Sequence, residues 1–198
     1  MKNVLVVFLL LFSSAVFCQK MTYEDFKTVI PFLQKEDFKG AFEKTEALLK
    51  ATNVDTSDVR AQVAYMNIYS AAGMVTLDQM DYKGFEKNLK TFVGKKLKMP
   101  GHPCIDSITK VAYSSLQFQL KKDGKMQGFT MTGNKDKTNI LLFEYYDFKG
   151  LVDPEDFVGT SVRCGGVLES YEVNVNKSKV WIGRLHISEA YIRGFLPK

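Results

Sequence analysis

Apolar residues along this chain recur with two different periods, and the change falls at one short junction. Up to about residue 98 they return every three to four positions, the spacing of one helical face. From about residue 110 they alternate with polar residues, the spacing of one strand face. Between the two lies Met99-Pro100-Gly101-His102-Pro103-Cys104, where two prolines and a glycine remove backbone donors and disfavour helix in the residues before them. A helix arriving at Leu97 has to stop there.

In the first half, Thr22 suits the cap of a segment whose first turn carries Glu24 and Asp25. Tyr23, Phe26, Ile30 and Leu33 share its face, and Pro31 interrupts its hydrogen-bond ladder. Asp37 opens a cleaner helix in which Phe38, Ala41, Phe42, Thr45, Leu48 and Leu49 follow the i, i+3, i+4, i+7 rule, and Asn53 suits its C-terminal cap. Thr56, Ser57 and Asp58 offer another N-cap before the stripe Val59, Val63, Met66 and Tyr69, which ends near Gly73 or runs a little further. A last helix from Asp81 groups Tyr82, Phe85, Leu89, Phe92, Val93 and Leu97. The spacing predicts four helices, paired as antiparallel hairpins by short connections.

In the second half, Ala112, Ser114, Leu116, Phe118 and Leu120 point one way and Tyr113, Ser115, Gln117 and Gln119 the other. Lys122-Asp123-Gly124 turns the chain into a strand through Phe129 and Met131, and Gly133-Asn134-Lys135-Asp136 turns it again. Ile140-Leu141-Leu142-Phe143 reads as a central strand covered on both faces. Pro154 sits early in a short helical turn. A long strand over residues 159–171 has Gly165-Gly166 at its middle, which predicts a bulge or sharp bend. After the turn Asn176-Lys177-Ser178-Lys179, a last strand sets Trp181, Leu185 and Ile187 against Ile182, Arg184, His186 and Ser188.

Two resemblances follow. Asp37-Phe38-Lys39-Gly40 recurs 44 residues on as Asp81-Tyr82-Lys83-Gly84, each time opening the second helix of a pair. On that repeat, residues 22–98 resemble tetratricopeptide-type helical repeats, although the spacing exceeds that family's period of about 34 residues. The resemblance implies protein or peptide binding in a concave groove. The order of strand, strand, strand, short helix, bent Gly-rich strand and strand resembles an OB-fold over residues 110–192, with GTSVRCGGVLESY and LHISEAYI similar to exported bacterial modules of that kind. The predicted fold is α+β: N-terminal antiparallel α-hairpins followed by a small five-stranded antiparallel OB-like barrel, with an open antiparallel sheet packed on the helices as the alternative. The predicted organisation is a signal peptide over 1–18, a helical region over 19–99, a junction over 100–109 and an OB-like domain over 110–198.

The N-terminus places the protein. Lys2 precedes an uninterrupted apolar run over residues 4–12, and a less apolar stretch ends at Cys18, the pattern of a secretory signal peptide. The run is far below the roughly 20 apolar residues that span a bilayer. Cleavage after Cys18 leaves Gln19 first; the alternative keeps Cys18 as a lipidated first residue, the single route to membrane attachment, with Phe17 set against it in place of a small residue. The net charge of +5 is spread along the helices, which reads as a solvated face and not as a nucleic-acid patch.

Candidate chemistry is sparse. Cys104 and Cys164 remain after cleavage, and in an oxidising compartment they either pair, bracing the junction against the strands, or stay as separate buried thiols. His102 and His186 could join them as a Cys₂His₂ zinc set, but the spacing matches no short knuckle. No phosphate loop, dinucleotide fingerprint, metalloprotease helix or nucleophile elbow is present, so no catalytic residue and no cofactor is assigned. The OB resemblance implies a ligand face, for which Lys121, Lys122, Lys125, Phe129, Lys135 and Lys137 form a basic cluster with an aromatic inside it. The expectation is an exported, periplasmic or secreted non-catalytic protein that binds a protein or peptide partner in a bacterial envelope. The alternatives are a module for oligosaccharide or single-stranded nucleic acid, and a hydrolase that the motifs do not reveal.

Overall fold

The computed structural model describes residues 20–52, 55–106, 113–174 and 176–195. The signal peptide over 1–18, the processing alternatives at Cys18 and Gln19, the cap at Asn53 and the strand start at Lys110 and Ala112 lie outside the described residues.

Helices come first and strands second, as the two periods imply. The helices are α1 (Tyr23–Lys27), α2 (Ile30–Gln34), α3 (Phe38–Ala51), α4 (Asp58–Thr76) and α5 (Tyr82–Lys90). The strands are β1 (Lys96–Pro103), β2 (Gln117–Leu120), β3 (Met126–Gly133), β4 (Ile140–Phe148), β5 (Ser161–Val173) and β6 (Trp181–Phe195), with a 3-10 turn at Pro154–Asp156 between β4 and β5. Local chemistry sets the helix starts. Thr22 and Asp25 form a reciprocal capping box, and Ser57 caps α4 through the Arg60 amide. The repeated Asp-aromatic-Lys-Gly tetrapeptide is also a cap: Asp37 accepts from the Gly40 amide at 2.9 Å and Asp81 from the Gly84 amide at 2.6 Å.

The strands form one six-stranded sheet in the order β1-β5-β6-β4-β3-β2, and β4 and β6 run parallel while the other neighbours are antiparallel. This overturns the five-stranded antiparallel barrel. The sheet gains a strand because the junction, which the prolines marked as a break, is itself β1. Pro100 falls within the register shift between Lys98 and Gly101, on an edge strand, where a missing amide donor breaks no ladder bond. The preceding helix ends early, at Lys90, and Gly94 turns the chain with φ 78°. The sheet remains open. Its two edge strands touch at one corner, where the Leu116 amide donates to Pro103 O at 2.9 Å and the Ile105 amide to Leu116 O at 3.0 Å. The β5–β6 register shifts at Gly165-Gly166, between Gly165 and Val167, but the extra residue lies on β6 and not on the Gly-rich strand, which stays in register with β1. A Cβ on Gly166 would stand 2.6 Å from Ser188 O, so the close approach of β6 requires glycine.

One core joins the two halves, and α4 is its centre. Apolar residues lie all round this helix, and thirteen of its nineteen residues are buried. It packs between α3 on one side and β1, β4 and β6 on the other. At Gly73 the backbone of α4 meets the ring of Phe38, where an added Cβ would come within 2.4 Å. Toward the sheet, the Tyr65 hydroxyl donates to Glu144 Oε1 at 2.7 Å and also reaches Thr132 Oγ1 at 3.3 Å. Thr130 donates to Glu144 Oε2 at 2.5 Å and shares a 3.0 Å hydrogen bond with Tyr146. All five side chains are buried. Desolvation pushes the Glu144 carboxyl up to about 7, against the opposing effect of the bonds it accepts.

Two outcomes follow from this packing. Glu144 binds a proton more tightly folded than unfolded, so the stability it confers is complete below its ordinary value of 4.5 and is lost as pH rises towards about 7. Glu144→Gln is expected to match the wild type at pH 4 and to exceed it at pH 8, by on the order of 3 kcal/mol, in urea unfolding. Parallel pH profiles would contradict a proton held at this site. Gly73→Ala, a change that favours an exposed helix by about 1 kcal/mol, is expected instead to destabilise the fold by about 1–3 kcal/mol through its clash with Phe38.

Candidate functional site

The helices pack from the side of the sheet that carries Glu144 and Gly183, where Phe85 of α5 approaches Gly183. Alternate residues point to the other side. An uncovered antiparallel face ordinarily carries polar residues. Here three strands, β3, β4 and β6, contribute a half-buried aromatic strip instead. Phe129 of β3 stacks on Phe143 of β4 with centroids 5.9 Å apart and planes 17° apart, and it also meets Tyr145 at 5.4 Å. Tyr145 stacks on His186 of β6 at 5.2 Å and 11°. Phe143 meets the edge of Trp181 at 6.3 Å.

Charge is laid over these rings. The Arg184 guanidinium sits 4.5 Å from the Trp181 ring centroid and 5.8 Å from that of Phe143. Its Nη1 donates to Glu172 Oε2 at 2.9 Å, and His186 Nε2 lies 3.3 Å from Glu172 Oε1. Arg184 chiefly, and His186 as well, hold the Glu172 carboxyl below its usual range despite some desolvation. The register pairs Glu172 with Arg184 and Ser170 with His186, so these are cross-strand contacts that also tie β5 to β6. The strip therefore offers a flat apolar surface with internally neutralised charge at its edge.

The basic ligand face read from the sequence is divided. Lys121, Lys122 and Lys125 lie at the turn between β2 and β3, with Lys121 paired to Asp147 at 3.1 Å. Lys135 and Lys137 lie at the other end of β3, eight residues away or about 26 Å of strand. There they line a cleft of about 550 Å³ with Tyr69, Tyr113 and Glu36, which accepts from the Lys135 amide. Of the six residues only Phe129 belongs to the aromatic strip. Of its companions, Phe143, Tyr145, Trp181, Arg184 and Glu172 carry no site signal in the sequence, and His186 is read there only as a candidate zinc ligand. Alternation places Phe143 and Tyr145 on one face, but the meeting of β4 with β6 is a parallel pairing that no local signal announces.

Cys104 and Cys164 are free, buried thiols on the inner side of the sheet and are not joined. The Cys104 amide donates to Thr160 O, four positions along β5 from Cys164, so the two residues are not opposite one another. His102 is also buried and inward, with Nδ1 3.1 Å from Ser114 O, and burial lowers its basicity. His186, on the outer face, is remote from this set, and among the described residues no group of three or more His, Cys, Asp or Glu could hold a metal ion. Burial pushes Cys104 up to about 11 and Cys164 further. Both are expected to resist alkylation in the native protein at pH 8 and to react fully on unfolding without reductant. A requirement for reductant in the unfolded chain would show a disulfide instead.

Among the described residues no helix is long and apolar enough to cross a membrane. No family model, no curated protein and no solved structure matches this chain.

Proposed function

We propose that this chain is an exported, non-catalytic interaction protein whose partner, a protein or peptide of a bacterial envelope, docks on the outer face of the sheet. The observation that carries the reading is the aromatic strip of Phe129, Phe143, Tyr145 and Trp181 on a face over which, among the described residues, no helix packs. Rigid aromatic side chains give large contact area at low entropic cost, and Trp, Tyr and Arg dominate the energetic centres of protein interfaces. Export rests on the signal-peptide pattern of residues 1–18. The absence of an assigned catalytic residue fits the site chemistry: Glu172 is engaged by Arg184 and His186, and Glu144 is enclosed in the core.

A peptide suits the strip better than a sugar. Sugar stacking needs a bare ring face, whereas Arg184 covers a face of Trp181 and His186 covers a face of Tyr145. Single-stranded nucleic acid needs basic residues beside the rings, and the lysines stand at opposite ends of β3 instead.

The test is selection of peptides from a displayed random library on the full chain, with affinities then measured for purified peptides. Selected peptides are expected to bind the wild type and to lose at least tenfold in affinity to Trp181→Ala or Phe143→Ala, with Lys39→Glu on the helical side unchanged. Binding indifferent to both strip variants, or binding of oligosaccharides but of no peptide, would overturn the reading.

A further inference from the structure

Beyond the aromatic strip, the outer face continues along β6 past a bulge. Glu189 has φ 46° and the β5–β6 register shifts between Gly165 and Val167, which moves the outward positions of β6 from Arg184, His186 and Ser188 to Tyr191, Arg193 and Phe195. In this second stretch Arg163 of β5 stands directly opposite Arg193 of β6. Like charges placed opposite on neighbouring strands, with Cβ atoms about 5 Å apart, destabilise a sheet. Neither guanidinium has a carboxylate partner among the described residues. Each is instead laid on a ring, Arg163 at 4.8 Å from the Phe195 centroid and Arg193 at 5.2 Å from that of Tyr191.

The surroundings add positive charge. Lys96 pairs with Val167 and Lys98 with Gly165 on the adjoining edge strand. The Asp58 carboxylate senses Lys98, Arg193 and Lys96, and Lys98 already holds it at 2.7 Å. Three of the four cations thus face an acid that is already engaged. The phenol of Tyr191 lies over Gly165, where an added Cβ would stand 2.5 Å from its oxygen, so the ring under Arg193 is fixed in place. Arginines stacked on rings keep their donor edges free and oriented for bidentate bonds to an oxyanion.

We propose that Arg163 and Arg193 form a carboxylate-binding pair that receives an acidic segment of the partner. The proposal rests on the outer face being the docking surface, and it names the chemistry of the partner there: an acidic stretch adjoining an apolar one, lying along β6. The repulsion between the two arginines is relieved when the acidic segment docks, which makes the pair a source of affinity and of salt dependence together.

The experiment follows the Arg Nε–Hε resonances of the full chain by NMR at low salt, with three probes: blocked tetraglutamate, blocked tetraglutamine and inorganic phosphate. Tetraglutamate is expected to shift the Arg163 and Arg193 signals, to bind at least tenfold more tightly than tetraglutamine, and to lose that advantage in Arg163→Gln/Arg193→Gln. Arg163→Lys/Arg193→Lys keeps the charge without the bidentate edge and is expected to bind with intermediate affinity. Equal binding of the two peptides, or unchanged binding by the Gln variant, would overturn the pair as a site. Phosphate binding as tight as tetraglutamate would overturn the acidic segment in favour of free phosphate or a phosphate headgroup. The tetraglutamate titration repeated on Trp181→Ala separates the two readings, since the arginine pair and the aromatic strip can each fail without the other.

Discussion

A carboxyl group at the centre of the core sets the terms on which α4 can dock against the sheet. Glu144 is enclosed between Tyr65 from the helix and Thr130 from β3, and each of its oxygens accepts a bond. A charge in that position would cost several kcal/mol without such partners, and the raised affinity for a proton is the form that cost takes. The hydrogen bonds also fix which turn of α4 faces which strand, something that the apolar residues round the rest of the helix leave open. Two further helices then close round this core. Phe38 of α3 fits over Gly73, and α5 closes on Gly183 through Phe85.

With the helices on one side, the other side of the sheet is left to its own side chains. Phe129, Phe143, Tyr145 and Trp181 shield one another, and Arg184 and His186 lie over them. The same contacts stabilise the pairing of three strands and leave a rigid surface. Further along β6, Arg163 and Arg193 carry unbalanced charge on an equally rigid support. Stability and the proposed recognition draw on one set of residues here, which is why the strip variants are best read beside a fold control such as circular dichroism.

The sequence made the local structure legible where a side chain acts on its own backbone. Thr22, Asp37, Ser57 and Asp81 cap the helices that they were expected to open, and the β5–β6 register shifts at Gly165-Gly166, with the extra residue on β6. What it hid was decided by distant partners. Pro100 and Pro103 look like a boundary, yet they lie on an edge strand whose single neighbour, β5, is more than fifty residues away. The helix that was expected to end near Gly73 or a little beyond ends at Thr76, but nothing local tells that Gly73 leaves room for the ring of Phe38 from α3. The ligand face was misassembled for the same reason: six residues close in sequence were grouped, and a hairpin carries them to opposite ends. The strip itself draws on β3, β4 and β6, and β4 and β6 meet in a parallel pairing with no turn between them to reveal it.

The measurement that bears most directly on this account is site-specific photocrosslinking in the native host, with a photoreactive phenylalanine analogue in place of Tyr145 on the outer face and, separately, of Glu43 on the exposed side of α3. The account expects one discrete adduct from position 145, lost when Arg163 and Arg193 are both changed to glutamine, and none from position 43. An adduct from position 43 with none from position 145 would contradict it and move recognition to the helices.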